Sequence, residues 1–311
     1  MIGKDIEAGI PLIDDTAYSV PKYHFNYKAA CCFASRYYLF MQDWGNAIKY
    51  ATMALTSNPS SLLRDYSAIA ALPKGTSRHQ EYVNSASTAN FLLQAATSNS
   101  GLLFDWYSTA GRYSHGKLQG IYETVQPKKG GPWGSSVTFK APHAVLASSG
   151  KYVLPRTWRV FQYTDPVAGT GFNKAISVLF TSEEALLNRA EAYIMKMNED
   201  PTALDKALED INLYAANLFS AGFKSMTEAS IIKWATETYP DYSELYVGKT
   251  SVSSPQTLNP KKKLHAAPYN TLEEGGPQES MLQALIFMRR YQFLHEGMRW
   301  FDTRRFGITV Y

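Results

Sequence analysis

From Glu279 to Glu296 apolar residues recur at helical spacing, at Met281, Leu282, Leu285, Ile286, Phe293 and Leu294, with no proline or glycine between them. The pattern predicts a helix with a break or C-cap at Gly297, where the periodicity changes. A second helical pattern starts at Asn26, a good N-cap, and carries Ala29, Ala30, Phe33, Ala34, Tyr37 and Tyr38. After the turn 42–45 a helix over Asn46–Thr56 puts Ala47, Ala51 and Ala54 on one stripe, and Pro59 stops it. Small residues at these spacings let two antiparallel helices approach closely. An echo lies at 181–219. There Thr181 and Glu184 form a capping-box pattern before Ala185, Leu186, Arg189, Ala190 and Tyr193, and Thr202 is placed to cap a helix through Phe219. A further helical segment covers 227–239.

The two predicted hairpins, 26–58 and 181–219, give a mainly α reading: an α/α superhelix interrupted by a long, irregular, aromatic-rich insert at 60–180. Asn90–Ala96 suits a strand or a short helix, and minor strand content is expected near 90–96 and 176–180. Gly130-Gly131-Pro132 is a turn signal, without the Lys-Ser/Thr pair of a phosphate loop. The stretch 240–277 is rich in Ser, Pro, Gly and Asn and reads as a long surface segment, with Lys261, Lys262 and Lys263 solvated.

Composition changes this picture in one respect. Of 311 residues, 21 are Tyr, 15 Phe and 6 Trp, and many of these fall in loop-like sequence inside the insert. The net charge of +4 gives no reason to propose a nucleic-acid partner. Cys31 and Cys32 are adjacent on a helix, point in different directions, and read as small buried residues rather than a disulfide. No window reaches the length of a transmembrane helix.

Catalytic chemistry is not legible. The acidic pairs Glu183/Glu184, Glu209/Asp210 and Glu273/Glu274 are each adjacent in sequence, whereas glycosidases need carboxylates converging from separate elements. The histidines lack metal-ligand spacing: His295-Glu296 begins like a zinc helix, but Arg299 stands where the second histidine would be. The expectation is a binding protein with no catalytic residue, metal or cofactor. Ring faces stack on the C–H faces of sugars while polar neighbours bond the hydroxyls. The candidate ligand contacts are Trp106, Tyr107, Tyr113, Trp133, Trp158 and Tyr163. Core packing or a protein interface is the competing reading for each.

Two resemblances join these readings. Ala34, Ser35, Tyr38, Ala47, Ala54 and Pro59 resemble a tetratricopeptide helix pair, departing from it at Cys31, where Trp is usual, and at Ala51. RRYQFLHEGMRWFDTRRFG, residues 289–307, resembles the C-terminal signature of the SusD/RagB family of surface lipoproteins, with Glu296, Gly297, Arg299, Trp300, Phe301 and Asp302 in the family's order. LFTSEEALLNRAEAY, residues 179–193, resembles a second landmark of that family, and Glu191 within it reads as an ion pair between repeats. Independently of the resemblance, the mixed charges predict a partly buried ion-pair network of Arg289, Glu296, Arg299 and Asp302, with Glu296 paired to Arg299 or Arg289.

The resemblance implies a single SusD-like domain over 1–311, incomplete at both ends, since family members carry a signal peptide, a lipidation cysteine and further terminal sequence. It also implies a place on the extracellular face of the outer membrane and a SusC-like TonB-dependent transporter as partner. The implied ligand is an oligosaccharide or, in RagB-like members, a peptide. The alternatives are a tetratricopeptide scaffold that binds only protein, or an enzyme with convergent carboxylates. A pure scaffold has no use for the aromatic insert.

Overall fold

The computed structural model describes residues 2–73, 75–100, 124, 129–140, 144–146, 151–153, 156–243 and 259–310. Helices dominate: α1 Ile2–Gly9, α2 Tyr27–Phe40, α3 Trp44–Leu55, α4 Tyr66–Ala71, α5 Thr76–Tyr82, α6 Ser182–Lys196, α7 Ala203–Leu218, α8 Glu228–Lys233, α9 Pro277–Gln292 and α10 Met298–Phe306. The strands are β1 Asn90–Thr97, β2 Thr138–Phe139, β3 Ala144–Leu146, β4 Lys151–Val153, β5 Thr157–Asp165, β6 Thr170–Thr181 and β7 Phe219–Ala221. Two compact units share the chain. The first holds Met1–Ser114, Lys140–Ser148 and Tyr152–Arg189, and the second holds the rest, so the boundary falls within α6.

In the first unit α2 and α3 form the hairpin that their small residues predict. Ala29, Ala34, Ala47, Ala51 and Ala54 are fully buried, and Tyr38 stacks on Tyr50 at 5.4 Å. Asn26 caps α2, its Oδ1 accepting from the Ala29 N–H at 3.0 Å. Cys31 and Cys32 are buried free thiols. Burial pushes the Cys31 thiol up to about 11, which leaves it unreactive.

Much of the described insert is regular. β6 lies between β1 and β5 in an antiparallel sheet. β6 is longer than the short strand expected near 176–180. Alternating residues on β5 and β6 meet across a hairpin, whose turn is tied by Asp165 Oδ1 accepting from Val167 and Ala168 N–H. Asn90–Ala96 resolves as strand because it pairs with β6.

The capping box at the start of α6 is half formed. Thr181 Oγ1 accepts from the Glu184 N–H at 3.1 Å. The Glu184 carboxylate, instead of reaching back, takes a fork from Arg36 at 2.5 and 2.7 Å. A charged, bidentate partner outcompetes a single backbone N–H.

In the second unit every residue from Glu279 to Gln292 of α9 is buried. A helix buried all round is a core helix, so its polar groups need partners. The break comes where the sequence puts it. Gly297 has φ +80°, a left-handed conformation, with open space where a Cβ would stand, so backbone conformation alone favours glycine. Thr202 sits at the N-cap of α7, but its hydroxyl donates to Asp200 Oδ1 at 2.8 Å and makes no cap bond.

Two expectations are corrected in this unit. Lys261 and Lys262 are buried, not solvated. Lys261 Nζ donates to the Ala235 carbonyl at 2.7 Å, and Lys262 Nζ donates to Ser243 Oγ at 2.5 Å and the Asn259 carbonyl at 3.0 Å. Glu191 pairs with Arg305 of α10, through Nη2–Oε2 at 3.0 Å and a second contact from Nη1, rather than with another repeat. Trp300 and Phe301 are exposed, at 64% and 51%.

Two members of the predicted ion network, Arg289 and Asp302, pair with each other. Arg289 holds Asp302 with two bonds of 2.9 Å, and Arg305 adds a third at 3.1 Å. Tyr269 Oη donates to Glu191 Oε1 at 3.2 Å. Two arginines thus neutralise two buried acids, Asp302 and Glu191. Glu296 is only partly buried, as is Arg299.

Candidate functional site

The first unit carries an open cleft of about 410 Å³, within the size range of small-molecule sites. Trp158, Ile176 and Tyr23 supply its apolar surface, and Gln80, Glu81 and Asn84 are among its polar groups. Each comes from a different local cause. Trp158 is the second residue of β5 and is registered against Ile176 of β6, so the two side chains share one face of the sheet. Tyr23 ends a short helical turn that Pro21 begins, and it is 39% exposed. Gln80 and Glu81 lie on α5.

Buried polar contacts hold these elements in place. His79 of α5 is 2.6 Å, through Nδ1, from the carbonyl of Thr157, the residue before Trp158. This bond sets the short polar helix beside the tryptophan. Two buried cations approach the Tyr82 ring: the Arg64 guanidinium is 3.8 Å and that of Arg156 4.8 Å from its centroid. Arg156 also donates to Tyr82 Oη at 2.5 Å, and Asn90 Nδ2 donates to the Tyr82 carbonyl at 2.9 Å. Asn84 Nδ2 donates to Glu81 Oε2 at 3.2 Å, which orients the carboxylate at the cleft. The arrangement offers an indole face flanked by amide and carboxylate groups. It can stack a flat, weakly polar ring and hydrogen-bond the hydroxyls at that ring's edge.

The six aromatic candidates do not converge. Trp106, Tyr107 and Tyr113 lie outside the described residues. Trp133 is in the second unit and 7% exposed, its ring within 5.1–6.3 Å of Phe219, Phe287, Phe139 and Tyr291. It is a core residue rather than an exposed platform, because the Gly130–Gly134 turn folds its ring inward against α9. Trp158 lines the cleft. Tyr163 is 58% exposed on the opposite face of the sheet, 4.9 Å from the Phe161 ring. Tyr23, Gln80, Glu81 and Asn84 were not singled out by sequence reasoning. Pro21, two residues before Tyr23, is a local turn signal that points toward it.

The acidic pair Glu183/Glu184 does not form a catalytic dyad. Glu183 Oε1 accepts from the Arg64 backbone N–H at 2.9 Å, and Glu184 is committed to Arg36. Among the described residues no cluster of three or more His, Cys, Asp and Glu is placed to hold a metal ion. Also among them, no helix is long and apolar enough to cross a membrane.

No protein-family model and no curated protein matches the sequence. Solved structures do match. A SusD-like carbohydrate binding protein from Bacteroides vulgatus aligns over 97% of this chain and 50% of its own, at 17% identity and a TM-score of 0.50. A SusD-like protein from Bacteroides fragilis aligns over 98% of this chain and 59% of its own, at 13% identity and a TM-score of 0.52. A SusD superfamily protein from Bacteroides vulgatus covers 98% and 56%, at 15% identity and a TM-score of 0.50. The chain has the SusD-like fold and spans between about half and three-fifths of the length of these structures.

Proposed function

We propose that this chain is the ligand-binding part of a cell-surface protein that captures oligosaccharides at the Trp158 cleft. The observation that carries the reading is the partly exposed indole beside Gln80, Glu81 and Asn84 in a cleft of sugar size. The fold supports it, since one structure of like fold is a SusD-like carbohydrate binding protein. On this reading the ligand is held by stacking and hydrogen bonds and released unchanged. It passes to a SusC-like TonB-dependent transporter, with the full-length protein lipid-anchored on the extracellular face of the outer membrane.

A peptide ligand is the second reading. Among the described residues β5 is an edge of its sheet, and an edge strand can accept an extended peptide. A screen of the purified protein against neutral oligosaccharides and peptides separates the two. Saturable glycan binding supports the proposal. Peptide binding alone replaces it with the second reading, and binding to protein partners alone would make the chain a scaffold.

A further inference from the structure

The turn Pro21–Tyr23 takes part in two clefts of the first unit. Tyr23 lines the one beside Trp158, while Pro21 and Lys22 line another, of about 320 Å³. The second cleft has apolar walls at Pro21, Leu62 and Phe91, and its charged groups are Lys22, Lys28 and Asp15. Its volume suits a single ring-sized ligand.

The charges in this cleft do not cancel. Asp15 is engaged with the start of α2, its Oδ1 accepting from the Tyr27 N–H at 2.8 Å. Lys22 is half-buried and donates to the Ser87 carbonyl. Lys28, on the first turn of α2, has its ammonium 5.7 Å from the centroid of Phe91. Among the described residues neither lysine forms an ion pair with a carboxylate. Each ammonium has three N–H donors, and one carbonyl satisfies only part of that capacity. Two ammoniums against one carboxylate leave one positive charge over. Burial first, then Lys28, then Arg64 bring the Lys22 ammonium down to about 8.

The two amides of the wall are already used. Asn26 Nδ2 donates to the carbonyls of Pro21, His24 and Phe91, and Asn90 Nδ2 donates to those of Tyr82 and Asn84. The charged donors left to a ligand are the ammonium N–H groups, with the Thr88 hydroxyl beside them and an apolar surface at Pro21, Leu62 and Phe91. The geometry points to a binding site for a small organic oxyanion, a carboxylate or sulfate borne on a ring whose apolar face lies against Leu62 and Phe91.

This site is independent of the glycan reading of the Trp158 cleft, because a monomeric anion probes it without any oligosaccharide. The test is calorimetric titration of the purified protein with glucuronate, benzoate, inorganic sulfate and glucose. Glucuronate or benzoate should bind at least about tenfold tighter than glucose and than inorganic sulfate, and their order tells a sugar acid from an aromatic one. Lys22→Met with Lys28→Met should lose at least about tenfold of that affinity, and Lys22→Arg should keep it. Should the double variant fail to fold, Lys28→Gln alone, at a partly exposed position on the first turn of α2, should show the loss. Trp158→Ala should leave the anion affinity unchanged. The proposal is overturned if no anion binds better than glucose, or if inorganic sulfate binds as tightly as the ring-borne anions. It is equally overturned if the folded lysine variants bind as the parent does, or if Trp158→Ala removes the binding.

Discussion

Trp158 and Tyr163 lie on one strand and on opposite faces of its sheet. They are five residues apart, and the pairing from Trp158–Ile176 to Tyr163–Gly171 runs without a bulge, so the pleat turns their rings away from each other. One ligand cannot stack on both. Tyr163→Ala is therefore expected to leave the affinity for a neutral glycan within about twofold of the parent, less than 0.5 kcal/mol. Titration of that variant checks this, and a large loss would move the site to the face that carries Phe161.

The Arg289–Asp302 fork is buried on both sides. Removing one partner of such a pair leaves an uncompensated charge and costs about 3–5 kcal/mol. Asp302→Ala should lower the unfolding free energy from denaturant melts by that amount, while Glu296→Ala, at a partly buried position, should cost less than about 1 kcal/mol. Equal effects from the two would show that the network is not centred on Asp302.

The same carboxylate shapes the acid limb of stability. Burial alone would raise Asp302, but Arg289 and then Arg305 outweigh it and hold the carboxyl below its ordinary 3.8. A depressed carboxylate contributes stability that is present above its unfolded value and is lost as pH falls through the folded one. Asp302→Asn should be less stable than the parent at neutral pH and should lose less on acidification below about pH 3.8. Urea melts from pH 5 downward measure the difference in slope, and parallel slopes would contradict it.

Burial should also separate three adjacent lysines. Lys261 and Lys262 are 2% and 0% exposed, whereas the Lys263 side chain is 44% exposed beside Glu274. Brief acetylation of the native protein, read by mass spectrometry, should modify Lys263 and spare Lys261 and Lys262. Equal labelling would place the segment back in solvent.

The helices were legible in the sequence because their signals are local. The alanine stripe of α2 and α3, the Asn26 cap and the break at Gly297 each depend on a few neighbouring residues. What was not legible depends on distant partners. Nothing near Lys261 or Lys262 announces the Ala235 carbonyl or the Ser243 hydroxyl, and Glu184 leaves its capping box for Arg36, far away in sequence. Trp133 looked like a loop aromatic because its flanking glycines signal a turn, yet the turn directs the ring against Phe287. The cleft suffers the same limit. Trp158 could be named as an aromatic in the insert, but Tyr23 and Asn84 join it only once β5, α5 and the Pro21 turn are in place.

The central claim is that the Trp158 face binds a sugar. Its most direct measurement is calorimetric titration of Trp158→Ala, beside the parent, with a neutral oligosaccharide that the parent binds, together with a melting curve of each. A hot-spot aromatic predicts a loss of more than about 2 kcal/mol, roughly thirtyfold in affinity, with the fold intact. A folded variant that binds as tightly as the parent, or a parent that binds no neutral oligosaccharide while binding peptide, would contradict the account.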